Sequence, residues 1–198
     1  MLSRTSIAAL AVWGLSTTPA FAQSLGNPGG MAPDTPRMES GNPPPDHPNT
    51  QDKLFVRQAA IGGKAEVELG KLAQQKAQSQ SVREFGERMA QDHGDANNRL
   101  LALGKKAEPS IPQTPDAKHE ALRGRLSKLS GADFDRAYMQ AQVEDHQKTV
   151  NLLTWEIGSG QSAELTKYAA DTLPTVMEHL ETAKRVLATL SAVPPPTS

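Results

Sequence analysis

The chain's 198 residues carry 21 Lys plus Arg against 22 Asp plus Glu, a formal net charge of −1, with 37% hydrophobic residues, 4% aromatics and no cysteine. So even a balance excludes the basic stripe that a nucleic-acid or anionic-membrane surface requires, and the lack of cysteine excludes disulfides, thiolate catalysis and every cysteine-ligated metal site. With few rings, the core must come from Leu, Val, Ile, Ala and Met, which suits long helices rather than a β-sandwich.

Residues 1–22 combine Arg4, an apolar stretch from Ile7 to Leu15, and the end Ala20-Phe21-Ala22. Small residues at the two positions a signal peptidase reads predict a secretory signal cleaved after Ala22, and the apolar run is about half of the roughly 20 residues a span needs. The mature chain is expected to start at Gln23, in the periplasm or outside the cell, with no membrane span. Residues 23–50 hold seven prolines and four glycines and no aromatic. Such a stretch cannot bury enough apolar surface to offset its ordering entropy, so it reads as a tail, as do residues 193–198 with Pro194-Pro195-Pro196.

The folded domain is expected over residues 51–192, as four long helices and one short one. The first runs from about Gln51 to Gln78. The second opens on Ser81-Val82-Arg83-Glu84, read as a capping box, and carries the seam Val82, Phe85, Met89, Ala96, Leu100 and Leu103 at three-four spacing. After the loop holding Pro109, Pro112 and Pro115, a short helix from Thr114-Pro115 passes through Leu122, Leu126 and Leu129 and is closed by Gly131. The third long helix spans about Asp133 to Ile157. The fourth spans about Ser162 to Leu190, with Pro174 as a kink. Two antiparallel hairpins joined by a long crossover make an all-α, ferritin-like four-helix bundle with a short extra helix in the crossover.

Three of the five histidines fall on apolar seams, one per helix: His93, His146 and His179. The first helix offers Glu66 instead, flanked by Gly62, Gly63 and Gly70. Glycine inside a helix costs about 1 kcal/mol against alanine, and these three are read as leaving space around the Glu66 carboxylate, with Glu68 as a solvated charge. Imidazoles and a carboxylate converging from different helices are how bundles build metal sites, so Glu66, His93, His146 and His179 form a candidate set for one transition-metal ion: zinc, copper or iron. The competing reading is a set of interior polar groups hydrogen-bonded to Asp92, Glu144, Asp145, Glu178 or backbone. A ferritin-type di-iron centre would place Glu three residues before its histidines, where this chain has Ala90, Val143 and Val176. Met89 and Met177 keep copper among the candidates, although both read first as apolar filling. Glu66 and His93 mirror each other about the Ser79-Ser81 turn. His146, reflected about Gly158-Ser162, lands near Pro174, about 7 Å short of His179.

The stretches Gly63 to Ala73, Arg88-Met89-Ala90-Gln91-Asp92-His93, Asp145-His146, Leu173-Pro174 and His179-Leu180 resemble an exported bacterial ferritin-like family known as domain of unknown function 4142. The resemblance spans about Lys53 to Leu190. It implies export, a ferritin-like fold and the shared polar set Glu66, His93, His146 and His179, and it implies no established activity. The sequence shows neither a nucleophile paired with a base nor a phosphate-binding glycine loop, so no catalytic residue is assigned. Two functions stay open. One is a metal-binding bundle for storage, buffering or stress protection. The other is a structural or interaction module of the cell envelope, with a protein partner or a second copy of the chain.

Overall fold

In a computed structural model, residues 47–108 and 110–192 are described. The expected signal segment, nearly all of the proline-rich tail and the C-terminal tail lie outside them. Among the described residues five helices follow one another: α1 (Thr50–Lys76), α2 (Gln80–Gly104), α3 (Ala117–Ser127), α4 (Gly131–Ser159) and α5 (Ala163–Ala192). Among the described residues no helix is long and apolar enough to cross a membrane.

Two local expectations are corrected. The capping box is at the start of α1 rather than α2: Asp52 N–H donates to Asn49 Oδ1 (2.9 Å), and Asn49 N–H donates to Asp52 Oδ2 (2.6 Å). At α2 the N-cap is Ser79, and its side chain makes no cap bond; Glu84 takes the Gln80 amide instead. The backbone N–H groups of Gln78 and Ser79 go to the buried carboxylate of Asp135 in α4 (3.0 and 2.7 Å), a stronger acceptor than a local hydroxyl. Gly131, expected to close the short helix, opens α4 with φ +58°, a left-handed turn suited to glycine, while α3 already ends at Ser127.

Helices α1 and α2 form one hairpin and α4 and α5 the other; α1 packs beside α4, and α2 beside α5. The N-terminal end of α1 meets the α4–α5 loop through Asp52, which accepts from the amides of Gln161 and Ser162 (3.1 Å each). The opposite end is tied in the same way by Asp135. These two clamps are copies. A shift of 83 residues carries Asp52, Gln78 and Ser79 onto Asp135, Gln161 and Ser162, with the roles exchanged between hairpins. The same shift carries the edge-on pair Phe55–Tyr168 onto Tyr138–Phe85, with ring centroids 6.1 and 6.3 Å apart. The bundle therefore has an internal two-fold pseudosymmetry, visible in sequence as Asp52-Lys53-Leu54-Phe55-Val56 against Asp135-Arg136-Ala137-Tyr138-Met139.

The core is split. One apolar cluster gathers around Phe55, Val56, Leu100, Leu153 and Leu165, and a second around Leu69, Phe85, Met89, Phe134 and Met139. Between them every long helix contributes buried polar side chains: Glu66 from α1, His93 and Asn97 from α2, Gln142 and His146 from α4, and His179 from α5.

Candidate metal centre

The polar layer brings His93, His146 and His179 together. One ring nitrogen from each lies within 4.8 Å of the others, and the ring centroids are 5.4 to 5.6 Å apart. His179 is thus level with the other two, and the expected 7 Å shortfall is corrected. Helix α4 continues to Ser159, which moves the loop to Gly160-Gln161-Ser162 and removes part of the shortfall; a stagger between the paired helices removes the rest.

Two of the three rings are oriented by a hydrogen-bond partner on one nitrogen. His146 Nδ1 donates to the backbone carbonyl of Gln142 (2.9 Å), which leaves Nε2 as a lone pair. His179 Nε2 donates to Asp92 Oδ2 (2.8 Å), and its Nδ1 is buried with no partner. Asp92 is itself held by Arg88 (3.2 Å), which also pairs with Glu178 (2.9 Å). A carboxylate or carbonyl behind a histidine is the usual way a ligand ring is fixed in one tautomer. The Nε2 atoms of His93 and His146 face each other at 3.4 Å. Tetrahedral zinc, with Zn–N bonds of about 2.0–2.1 Å, holds two donor nitrogens roughly 3.3 Å apart, so this spacing suits an ion between them.

Burial makes the rings good donors by keeping them neutral. His93 is held well below the ordinary imidazole range, first by burial and then by the neighbouring rings. Burial and then His179 push His146 down to about 4, against the bond to Gln142. Burial also lowers His179, with Asp92 pulling the other way.

Glu66 is buried nearby, but its oxygens are not within 4.8 Å of all three ring nitrogens. It shares with His93 the wall of a cavity beside the triad. Burial pushes its carboxyl up to about 8, with the Gln142 amide pulling partly back, so it is a neutral acid at neutral pH. Of the glycines expected to make room for it, Gly62 has open space on the cavity wall, while Gly63 and Gly70 serve other groups. A Cβ at Gly63 would lie 2.0 Å from Asn97 Oδ1, and one at Gly70 would lie 2.5 Å from the Gly86 carbonyl oxygen, where α1 and α2 touch backbone to backbone. Glu68 is partly exposed and pairs with Arg123 at 3.7 Å. Met89 is buried in the second apolar cluster, and Met177 is half exposed. Gln142 and Asn97 were not singled out from the sequence. Each lies one turn from a seam histidine on the same face, which was the available signal.

Residues 37–186 match the family described as Domain of unknown function (DUF4142). The chain belongs to this family. The match begins inside the proline-rich segment, upstream of the expected start of the folded part. Among solved structures, the bundle is similar to a DUF305 fragment from Deinococcus radiodurans, with TM-score 0.63 and 18% identity, over 72% of this chain and 99% of that one. At that identity the likeness is one of fold. No curated protein matches the chain.

Proposed function

We propose that this DUF4142 bundle is exported and holds one transition-metal ion on His93, His146 and His179, serving storage, buffering or stress protection in the periplasm. Glu66 stands beside the ion as a buried acid. The observation that carries the reading is the convergence of the three imidazoles, one ring nitrogen of each within 4.8 Å of the others, with Nδ1 of His179 buried and unpartnered. Three neutral nitrogens suit zinc and copper better than the oxygen-rich sites of calcium or magnesium. With three histidines as donors, one position of a tetrahedral ion stays open for exchange.

Protein purified untagged from the periplasm should carry close to one transition-metal ion per chain by elemental analysis. Intact mass should show a chain beginning at Gln23. A mass that retains residues 1–22 overturns the export part of the reading, and metal-free protein overturns the rest. A second reading draws on the bonds from His179 to Asp92 and from His146 to Gln142: the polar layer fixes helix register in an envelope interaction module. In that case removing a histidine destabilises the bundle and metal has no effect.

A further inference from the structure

The cavity beside the triad has a volume of about 310 Å3, at the lower end of the range for small-molecule sites. Its position follows from the pseudosymmetry. The shift of 83 residues that superposes the clamps takes Ala59, Gly63 and Ala96 of its wall onto Gln142, His146 and His179, and takes His93 onto Val176, a further wall residue. The cavity is the two-fold counterpart of the histidine site, emptied because small side chains stand where the other half has a glutamine and two imidazoles. His93 belongs to both.

The cavity is not a plain packing defect, because polar groups without partners border it. Glu66 and Asn97 line it, both are more than nine-tenths buried, and Glu66 Oε2 and Asn97 Nδ2 have no hydrogen-bond partner. Leaving two such atoms buried and unpaired costs roughly 1–3 kcal/mol each, a cost that a guest with acceptor oxygens would remove at the Asn97 amide and at the O–H of Glu66 in the protonated form that its burial favours. The sequence also gives up a helical side chain for this geometry, since only glycine at position 63 leaves room for the Asn97 amide. Leu152, Leu153 and Val176 supply apolar wall. Exposed residues at the start of α3 and along α4 complete the lining, so the cavity opens to solvent there. At this mouth Asp145 is paired with Lys148 (2.9 Å) and Asp116 with His119 (2.6 Å), while Lys118 stands beside them.

We propose that this cavity binds a small carboxylate with a short apolar body, its oxygens accepting from the Asn97 amide and the Glu66 carboxyl and its body lying against Ala59, Leu152 and Val176. Binding does not need an ion on the histidines, so the proposal is tested on metal-free protein and stands or falls separately from the metal reading.

The experiment is a titration of the full metal-free chain with propionate at constant ionic strength, followed by backbone and side-chain amide NMR. A ligand of this size is expected to bind at about millimolar Kd, so the titration runs to about 100 mM. Saturable shifts should be confined to Asn97, Gly62, Gly63 and their neighbours. Gly62 lines the cavity, and a Cβ added there meets nothing within 4 Å, so Gly62→Leu fills the space without a clash at its first atom. It should raise the Kd at least tenfold at unchanged helicity; Ala59→Leu is the second filling variant. The absence of any saturable shift would overturn the proposal, as would shifts that persist unchanged in a folded filling variant.

Discussion

Asp92 illustrates how much depends on a group that would not touch the ion. It lies one residue before His93 and looks like a surface acid, yet it accepts from His179 Nε2 and is steadied by Arg88. Removing the charge while keeping the shape, in Asp92→Asn, should weaken zinc affinity about 10- to 100-fold, the usual cost of losing such a partner. Competition against a chelator of known affinity measures this, and circular dichroism should show the fold intact. An unchanged affinity would mean that the His179 ring is not oriented through Asp92. The candidate histidines were legible one by one, because a polar ring in an apolar seam stands out. Asp92 stood among their expected partners, but the carbonyl that takes His146 was not legible: Gln142 acts through its backbone, and the identity of a side chain carries no sign of that.

At the scale of elements, helix count and order were legible because three-four periodicity survives wherever one face is buried. The ends were legible only where the capping partner is local. Asn49 and Asp52 are three residues apart, whereas Asp135 caps a loop more than fifty residues away. The glycines of α1 divide on the same principle. At Gly70 the atom in the way is backbone, so Gly70→Ala should cost roughly 1–3 kcal/mol despite its gain in helix propensity. At Gly62 there is open space, so Gly62→Ala should stabilise by roughly 0.4–1 kcal/mol. Chemical denaturation of the two variants side by side checks both signs.

Across the whole molecule, the pseudosymmetry explains why counting residues misplaced His179. In each hairpin the paired site residues, Glu66 with His93 and His146 with His179, are centred about one and a half residues beyond the middle of the connecting loop. The stagger is common to both halves, but it belongs to helix packing, which a mirror count ignores. Burial of acids also sets a molecular pH profile. The Glu66 carboxyl is raised from 4.5 to about 8 by burial, and Glu156 from 4.5 to about 9 by burial and then by Asp52. An acid raised in the folded state contributes stability that is full below its unfolded value and is lost as pH rises through the folded one. The melting temperature should therefore fall from about pH 4.5 to about pH 9, and the double variant Glu66→Gln, Glu156→Gln should flatten that fall, since glutamine mimics the neutral acid. His146 acts at the other end: lowered from 6.5 to about 4, it should erode stability as pH drops through that window.

The central claim is that the three convergent imidazoles hold an ion. The measurement that meets it most directly is the melting temperature of metal-free protein with and without zinc, in the wild type and in His146→Ala. An ion that binds only the folded chain adds about 2.7 kcal/mol at roughly a hundredfold excess over its Kd. The wild type should therefore melt several degrees higher with zinc, and His146→Ala should show no zinc-dependent rise, whatever its own stability. A wild type that zinc leaves unmoved, or a His146→Ala variant that rises equally, would contradict the account.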